Sequence, residues 1–201
     1  MTSKHAKQRA MNYCLRARAH LIPSTENPRQ AIECAEASGE SISDDSYPIV
    51  RHLPYGQVVY IVEPAKDAAH FELVQRIDLL NASMTEAALH EAALRRLTEF
   101  ANSRLELLEH GQSIWELSIG DGCEASLLLL DALWDEVLPQ YVGSNFVAAI
   151  PHQDCLLVGA STAQATLAAL YSSRRQVEQA VQCEGLLQRS HGSWHTANQP
   201  Q

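Results

Sequence analysis

This sequence predicts an α+β fold: an antiparallel or mixed sheet of about five strands, packed by helices and preceded by an N-terminal helical arm. Three observations carry that expectation. Ser126–Leu138 (SLLLLDALWDEVL) reads as a helix apolar on nearly every side, which has to be buried. NFVAAI and CLLVGAS flank the turn residues PHQD, and two apolar runs joined by so short a turn pair as a hairpin. Strands follow one another without crossover helices, which disfavours a doubly wound parallel sheet.

Along the chain, residues 3–22 read as an amphipathic helix with Met11, Cys14, Leu15 and Ile22 on one side and basic residues on the other. Asn27 as N-cap and Pro28 at the first helical position open a short helix through Ala37, which Gly39 closes. Ser38–Ser46 is a serine-rich, acidic linker and sets the boundary between an arm (1–46) and a main domain (47–187). Tyr47–Leu53 and Gln57–Glu63 are rich in β-branched residues and flank Pro54-Tyr55-Gly56, so they read as a hairpin. Phe71–Leu80 is open to two readings, the end of a strand or the start of a helix. Ser83 with Glu86 has the spacing of a capping box, and Leu89, Ala93, Leu97 and Phe100 continue at helical intervals. Ser113–Ile119 alternates as a strand, with Ile114, Glu116 and Ser118 on one face and Trp115, Leu117 and Ile119 on the other. Gly120-Asp121-Gly122 is a turn. Ser161 with Gln164 caps a last helix that carries Leu167, Leu170, Tyr171, Val177 and Val181, and residues 188–201, polar and rich in His and Gln, form a flexible tail.

The 201 residues, 46% of them hydrophobic, suit one cored domain with an added arm. The longest purely apolar runs, Leu127–Leu130 and Phe146–Ile150, fall far short of the ~20 residues a membrane helix needs. No apolar leader with a small-residue cleavage site is visible at the start, so a cytoplasmic location is expected. The five cysteines (Cys14, Cys34, Cys123, Cys155, Cys183) are widely spread and form no C-x-x-C pair. They read as reduced thiols and argue against a zinc knuckle or a thioredoxin-like centre.

Net charge is −9, unevenly placed: residues 1–25 hold Lys4, Lys7, Arg9, Arg16 and Arg18 and no acid, leaving ten basic against 24 acidic residues elsewhere. An acidic body is a poor nucleic-acid groove, which needs a concentrated positive face. Binding of nucleic acid by the first helix would require Arg9, Arg16 and Arg18 to be exposed together.

Candidate chemistry is sparse. His152 and Asp154, two residues apart in an extended segment, project to one side, a pairing that can bind a metal, given a third ligand, or orient a base. The plainer alternative has Asp154 capping turn amides, His152 exposed at the tip and Cys155 opening a core strand. Asp121, Glu124 and Ser126 cluster where a helix begins and suit its positive end. A catalytic role for Asp121 or Glu124 near His152 requires the turn and the hairpin tip to converge. Phosphate-loop, dinucleotide, HExxH and GxSxG patterns are absent. No metal or cofactor is expected, and His191 and His195 read as incidental.

The order Tyr47-Pro48-Ile49-Val50-Arg51, Asp121-Gly122-Cys123-Glu124-Ala125-Ser126, and Ile150-Pro151-His152-Gln153-Asp154 resembles the YtpQ-like family of uncharacterised bacterial proteins, over roughly residues 47–170. The resemblance implies an intracellular bacterial domain and brings no catalytic residue or cofactor. The expected function is a non-catalytic protein-binding domain, of the immunity-inhibitor or accessory-subunit kind, with Arg9, Arg16, Arg18 and His152 as candidate contacts. The alternative is a small hydrolase-like enzyme using Asp121, Glu124, His152 and Asp154 around one pocket.

Overall fold

A computed structural model describes residues 2–63, 71–111, 113–152, 154–177 and 185–197. Gln153, Val181, Cys183 and residues 198–201 of the expected tail lie outside the described residues. The fold is α+β with two sheets, of four and six strands, where a single sheet of about five was expected. The chain groups into two compact units: residues 1–20, 26–51 and 58–99, and residues 21–25, 52–57 and 100–201. This grouping differs from the expected division after residue 46.

In the first unit, α1 (Thr2–Cys14) ends four residues before β1 (Arg18–Ile22), so the single helix expected over 3–22 is a helix and a strand. Helical bonding stops where the amides of Arg16 and Ala17 turn back to Tyr13 and Cys14. All five residues of β1 are buried, and one edge of its backbone pairs with β3 (Gly56–Val62). Asn27 Oδ1 accepts from the Arg29 amide at 3.0 Å, and α2 (Gln30–Ala37) begins one residue later. Gly39, at φ +90°, follows as the terminator the sequence suggested.

The expected hairpin is present as β2 (Val50–Leu53) beside β3. Every residue of β3 is buried. The open segment 71–80 takes both of its readings: β4 (Glu72–Leu73) pairs antiparallel with β3, and α3 (Arg76–Ala82) follows, with Asp78 Oδ2 accepting from the Gln75 amide at 2.9 Å. Ser83 does not cap the next helix. It adopts φ +53° and ends α3, while the Met84 amide reaches back to the Leu79 carbonyl. Thr85 does the capping, its Oγ1 accepting from the Ala88 amide at 3.2 Å, and α4 (Glu86–Arg104) buries Leu89, Ala93 and Leu97 as the spacing predicts.

The second unit is built on the six-stranded antiparallel sheet, ordered β10-β9-β7-β8-β6-β5. β7 (Phe146–His152) and β8 (Cys155–Ala160) are the expected hairpin, and β6 (Ile114–Ser118) pairs with β8. β5 (Glu106–Glu109) was not anticipated. β9 (Leu186–Ser190) and β10 (Ser193–Thr196) occupy most of the expected flexible tail, because Leu186, Leu187 and Trp194 are buried among otherwise polar neighbours. α6 (Gln164–Val177), preceded by a 3-10 turn over Ser161–Ala163, packs Leu167 and Tyr171 on one face of the sheet with Ile114, Val147, Ala149 and Leu157.

The opposite face carries the leucine-dense segment. It is a helical series and not one α-helix: a 3-10 helix over Glu124–Leu129, a π-helical turn over Leu133–Val137, then α5 (Pro139–Val142). Leu130, at φ −96° and ψ 88°, breaks the first from the second. Two indoles satisfy carbonyls near this break: Trp134 Nε1 donates to Leu127 O at 2.7 Å, and Trp194 Nε1 donates to Leu128 O at 3.1 Å. The two indoles meet edge to face at 4.6 Å between centroids, with Phe146 against Trp134 at 5.6 Å. Arg189 of β9 clamps the same segment, its Nε 2.7 Å from Asp135 Oδ1 and one Nη 2.8 Å from Asp131 Oδ1.

Candidate functional site

The hairpin tip and the glycine turn are the residues from which chemistry was expected, and both lie in the second unit. The register of β7 on β8 shifts between Ala149 and His152, which releases the last strand residues from the regular ladder. His152 Nδ1 lies 2.6 Å from Asp154 Oδ1. A carboxylate can only accept, so Nδ1 is the donor in this bond. The two side chains therefore meet on one side of the hairpin tip.

Gly120 and Gly122, at φ +70° and +74°, turn the chain as expected. A Cβ built on Gly122 would stand 4.0 Å from the Asp154 Cβ, so the turn and the hairpin tip do converge.

The other two acids of the expected pocket are committed elsewhere. Glu124 is 3% exposed, and its Oε1 accepts from the amides of Ile119 at 3.2 Å and Gly120 at 2.9 Å. It ties down the strand end that leads into the turn. Its Oε2 is buried with no hydrogen-bond partner among the described residues. Asp121 Oδ1 accepts from the Cys123 amide at 3.0 Å, holding the turn two residues on. Ser126, fully buried, accepts from the Leu21 amide at 3.0 Å. No group of three or more His, Cys, Asp or Glu able to hold a metal occurs among the described residues.

The basic residues of the N-terminus do not form one face. Arg9 and Arg16 are exposed, and Arg16 donates to the Glu63 carbonyl at 2.7 Å. Arg18 is buried in β1, 3.7 Å from Glu63 Oε1, so the joint exposure that nucleic-acid binding required is not met. His191 and His195 are exposed.

Two arrangements carried no sequence signal. In the first unit, Tyr60 of β3 reaches His90 of α4, with Oη 3.1 Å from Nδ1. Burial pushes the phenol up and the imidazole down, and the nearby Arg51 guanidinium lowers both. In the second unit, Tyr141 meets the Trp115 ring at 6.3 Å between centroids. Tyr141 is 54% exposed and Val137, one turn earlier, 40% exposed. Helical spacing could have paired Val137 with Tyr141, but nothing in the residues said that this side faces outward.

Comparison with known proteins gives a restricted likeness. A UPF0354 protein of Listeria monocytogenes serotype 4a is 30% identical over 108 residues, which is 54% of this chain and 39% of that protein. One from Staphylococcus aureus strain MW2 is 28% identical over 107 residues, 53% of this chain and 36% of that protein. Over about half its length, this chain is homologous to the UPF0354 proteins. The resemblance to the YtpQ-like family read from the residues is of this same kind. The aligned stretch spans about two fifths of the length of these curated UPF0354 relatives. No family profile and no solved structure matches the chain.

Proposed function

We propose that this chain is a non-catalytic protein-binding domain, of the immunity-inhibitor or accessory-subunit kind. The observation that carries the reading is the use made of the expected catalytic acids: Glu124 is buried on backbone amides and Asp121 braces its own turn, while Val137 and Tyr141 stand exposed on the second unit. Carboxylates spent on amides stabilise a fold and are withdrawn from proton transfer, and two exposed apolar side chains one turn apart offer a partner a point of contact. The test is purification of the tagged chain from its host with its associated proteins. A stoichiometric partner supports the reading, and a chain recovered alone at every concentration sinks it.

A second reading is favoured by one contact. The Gly122 turn lies against Asp154, and His152 is hydrogen-bonded to that same residue, which leaves a small hydrolase-like site around His152 and Asp154 as the alternative. Screening ester, phosphoester and amide substrates with the wild-type chain and with His152→Ala decides it. Turnover abolished by the substitution establishes the enzyme, and no turnover with any class removes it.

A further inference from the structure

We infer that the outward side of the Leu133–Val142 segment docks a cationic amphipathic segment of a partner protein, an inference that rests on the protein-binding reading above. Val137 and Tyr141 are one helical turn apart and exposed, so they form a short apolar ridge on a segment whose other side, through Trp134 and Leu138, is buried against the sheet. Tyr141 is not loosely placed: its ring rests on Trp115 of β6, which presents it as a firm apolar surface. Glu136 flanks the ridge on the same segment and is exposed, whereas the neighbouring Asp135 is paired with Arg189. Glu109 of β5 is the cross-strand neighbour of Trp115 and adds a further exposed carboxylate beside the aromatic pair.

Charge identifies the occupant. Residues 100–201 contain eleven Asp or Glu against four Arg and no Lys. One of those four, Arg189, is already spent on Asp131 and Asp135 of this same segment. An apolar ridge rimmed by carboxylates repels nucleic acid and anionic lipid, and it attracts a segment that pairs leucine-like residues with lysine or arginine. The same field that speeds such an encounter makes it sensitive to salt.

The experiment measures fluorescence anisotropy of a labelled amphipathic leucine/lysine peptide titrated with the full chain, beside a leucine/glutamate peptide of the same length. The expected result is saturable binding of the lysine peptide, weakened as salt rises, with the glutamate peptide left unbound. Tyr141→Ser and Val137→Ser, which remove apolar surface without adding charge, should each weaken binding about tenfold or more, as loss of a central interface side chain does. Glu136→Lys, at an exposed position, should weaken the lysine peptide while leaving the circular dichroism spectrum unchanged. Equal binding of both peptides, no binding of the lysine peptide, or indifference to Tyr141 and Val137 overturns the inference. So does tighter association of the chain with phosphatidylglycerol vesicles than with the peptide. A host partner captured equally well by wild type and Tyr141→Ser would reject this surface and leave the protein-binding reading standing, whereas absence of any host partner rejects that reading itself.

Discussion

Acid should destabilise the first unit through His20. This imidazole is 9% exposed in β1, and burial, with a smaller contribution from the Arg18 guanidinium, holds its pKa down to about 4. In the unfolded chain the same group titrates near ~6.5. Between those two values the unfolded state holds a proton that the folded state refuses, so stability falls as pH falls through this window and stops falling below about 4. A gap of roughly 2.5 pK at about 1.4 kcal/mol each amounts to about 3 kcal/mol, a large part of the ~5–15 kcal/mol that holds a typical domain together. The assay is urea unfolding followed by far-ultraviolet circular dichroism, at several pH values between 7 and 4, for the wild type and His20→Gln. Carboxylates titrate in both proteins, so the quantity of interest is the difference between them. That difference should shift in favour of the variant by about 3 kcal/mol across the window. Parallel curves would refute the reasoning and show that His20 charges inside the fold without penalty.

Other substitutions test the packing. Gly56→Ala should destabilise the chain by about 1–3 kcal/mol in urea unfolding, because its Cβ would stand 2.8 Å from the Ile22 carbonyl, a backbone atom that cannot swing aside. Trp134→Phe removes the donor to Leu127 O inside a fully buried site, and should cost about 1–3 kcal/mol in urea unfolding. Arg189→Gln leaves Asp131 and Asp135 without their shared cation. The Asp135 carboxyl, held low chiefly by its hydrogen bond from Arg189, should then move up toward its ordinary value, as read by NMR titration of its side-chain carbon.

Much of this fold was legible in the residues because its periodicities are strong. The 147–160 hairpin, the face of α4 carrying Leu89, Ala93 and Leu97, and the Gly120–Gly122 turn each follow from spacing and backbone preference alone. Failures came where tertiary contacts overrode local pattern. Residues 18–22 fit a helical stripe, yet pairing with β3 claims their backbone. Ser83 has the right chemistry and spacing for a cap, but the left-handed end of α3 needs the position first. The segment after Gln188 is polar in composition, and only Trp194, reaching the Leu128 carbonyl and the face of Trp134, reveals why it is ordered as strands. At the candidate site, the spacing of His152 and Asp154 allowed their side chains to meet, beside the plainer alternative of Asp154 capping the turn. Spacing could not tell that Glu124 would turn inward onto the Ile119 and Gly120 amides, since the direction of a carboxylate is set by which unpaired donors surround it.

The placement of the indoles also decides what light can report about this molecule. All three tryptophans of the chain, Trp115, Trp134 and Trp194, belong to the second unit, whereas the first contains only tyrosines among its strong near-ultraviolet absorbers. Emission excited at the red edge of the aromatic band therefore watches the leucine-dense segment and its sheet, and carries no direct signal from α1 and α3, which lie wholly in the first unit. If the two units come apart at different urea concentrations, tryptophan emission and far-ultraviolet ellipticity will trace different curves, and a single emission midpoint will describe one unit as though it were the whole chain.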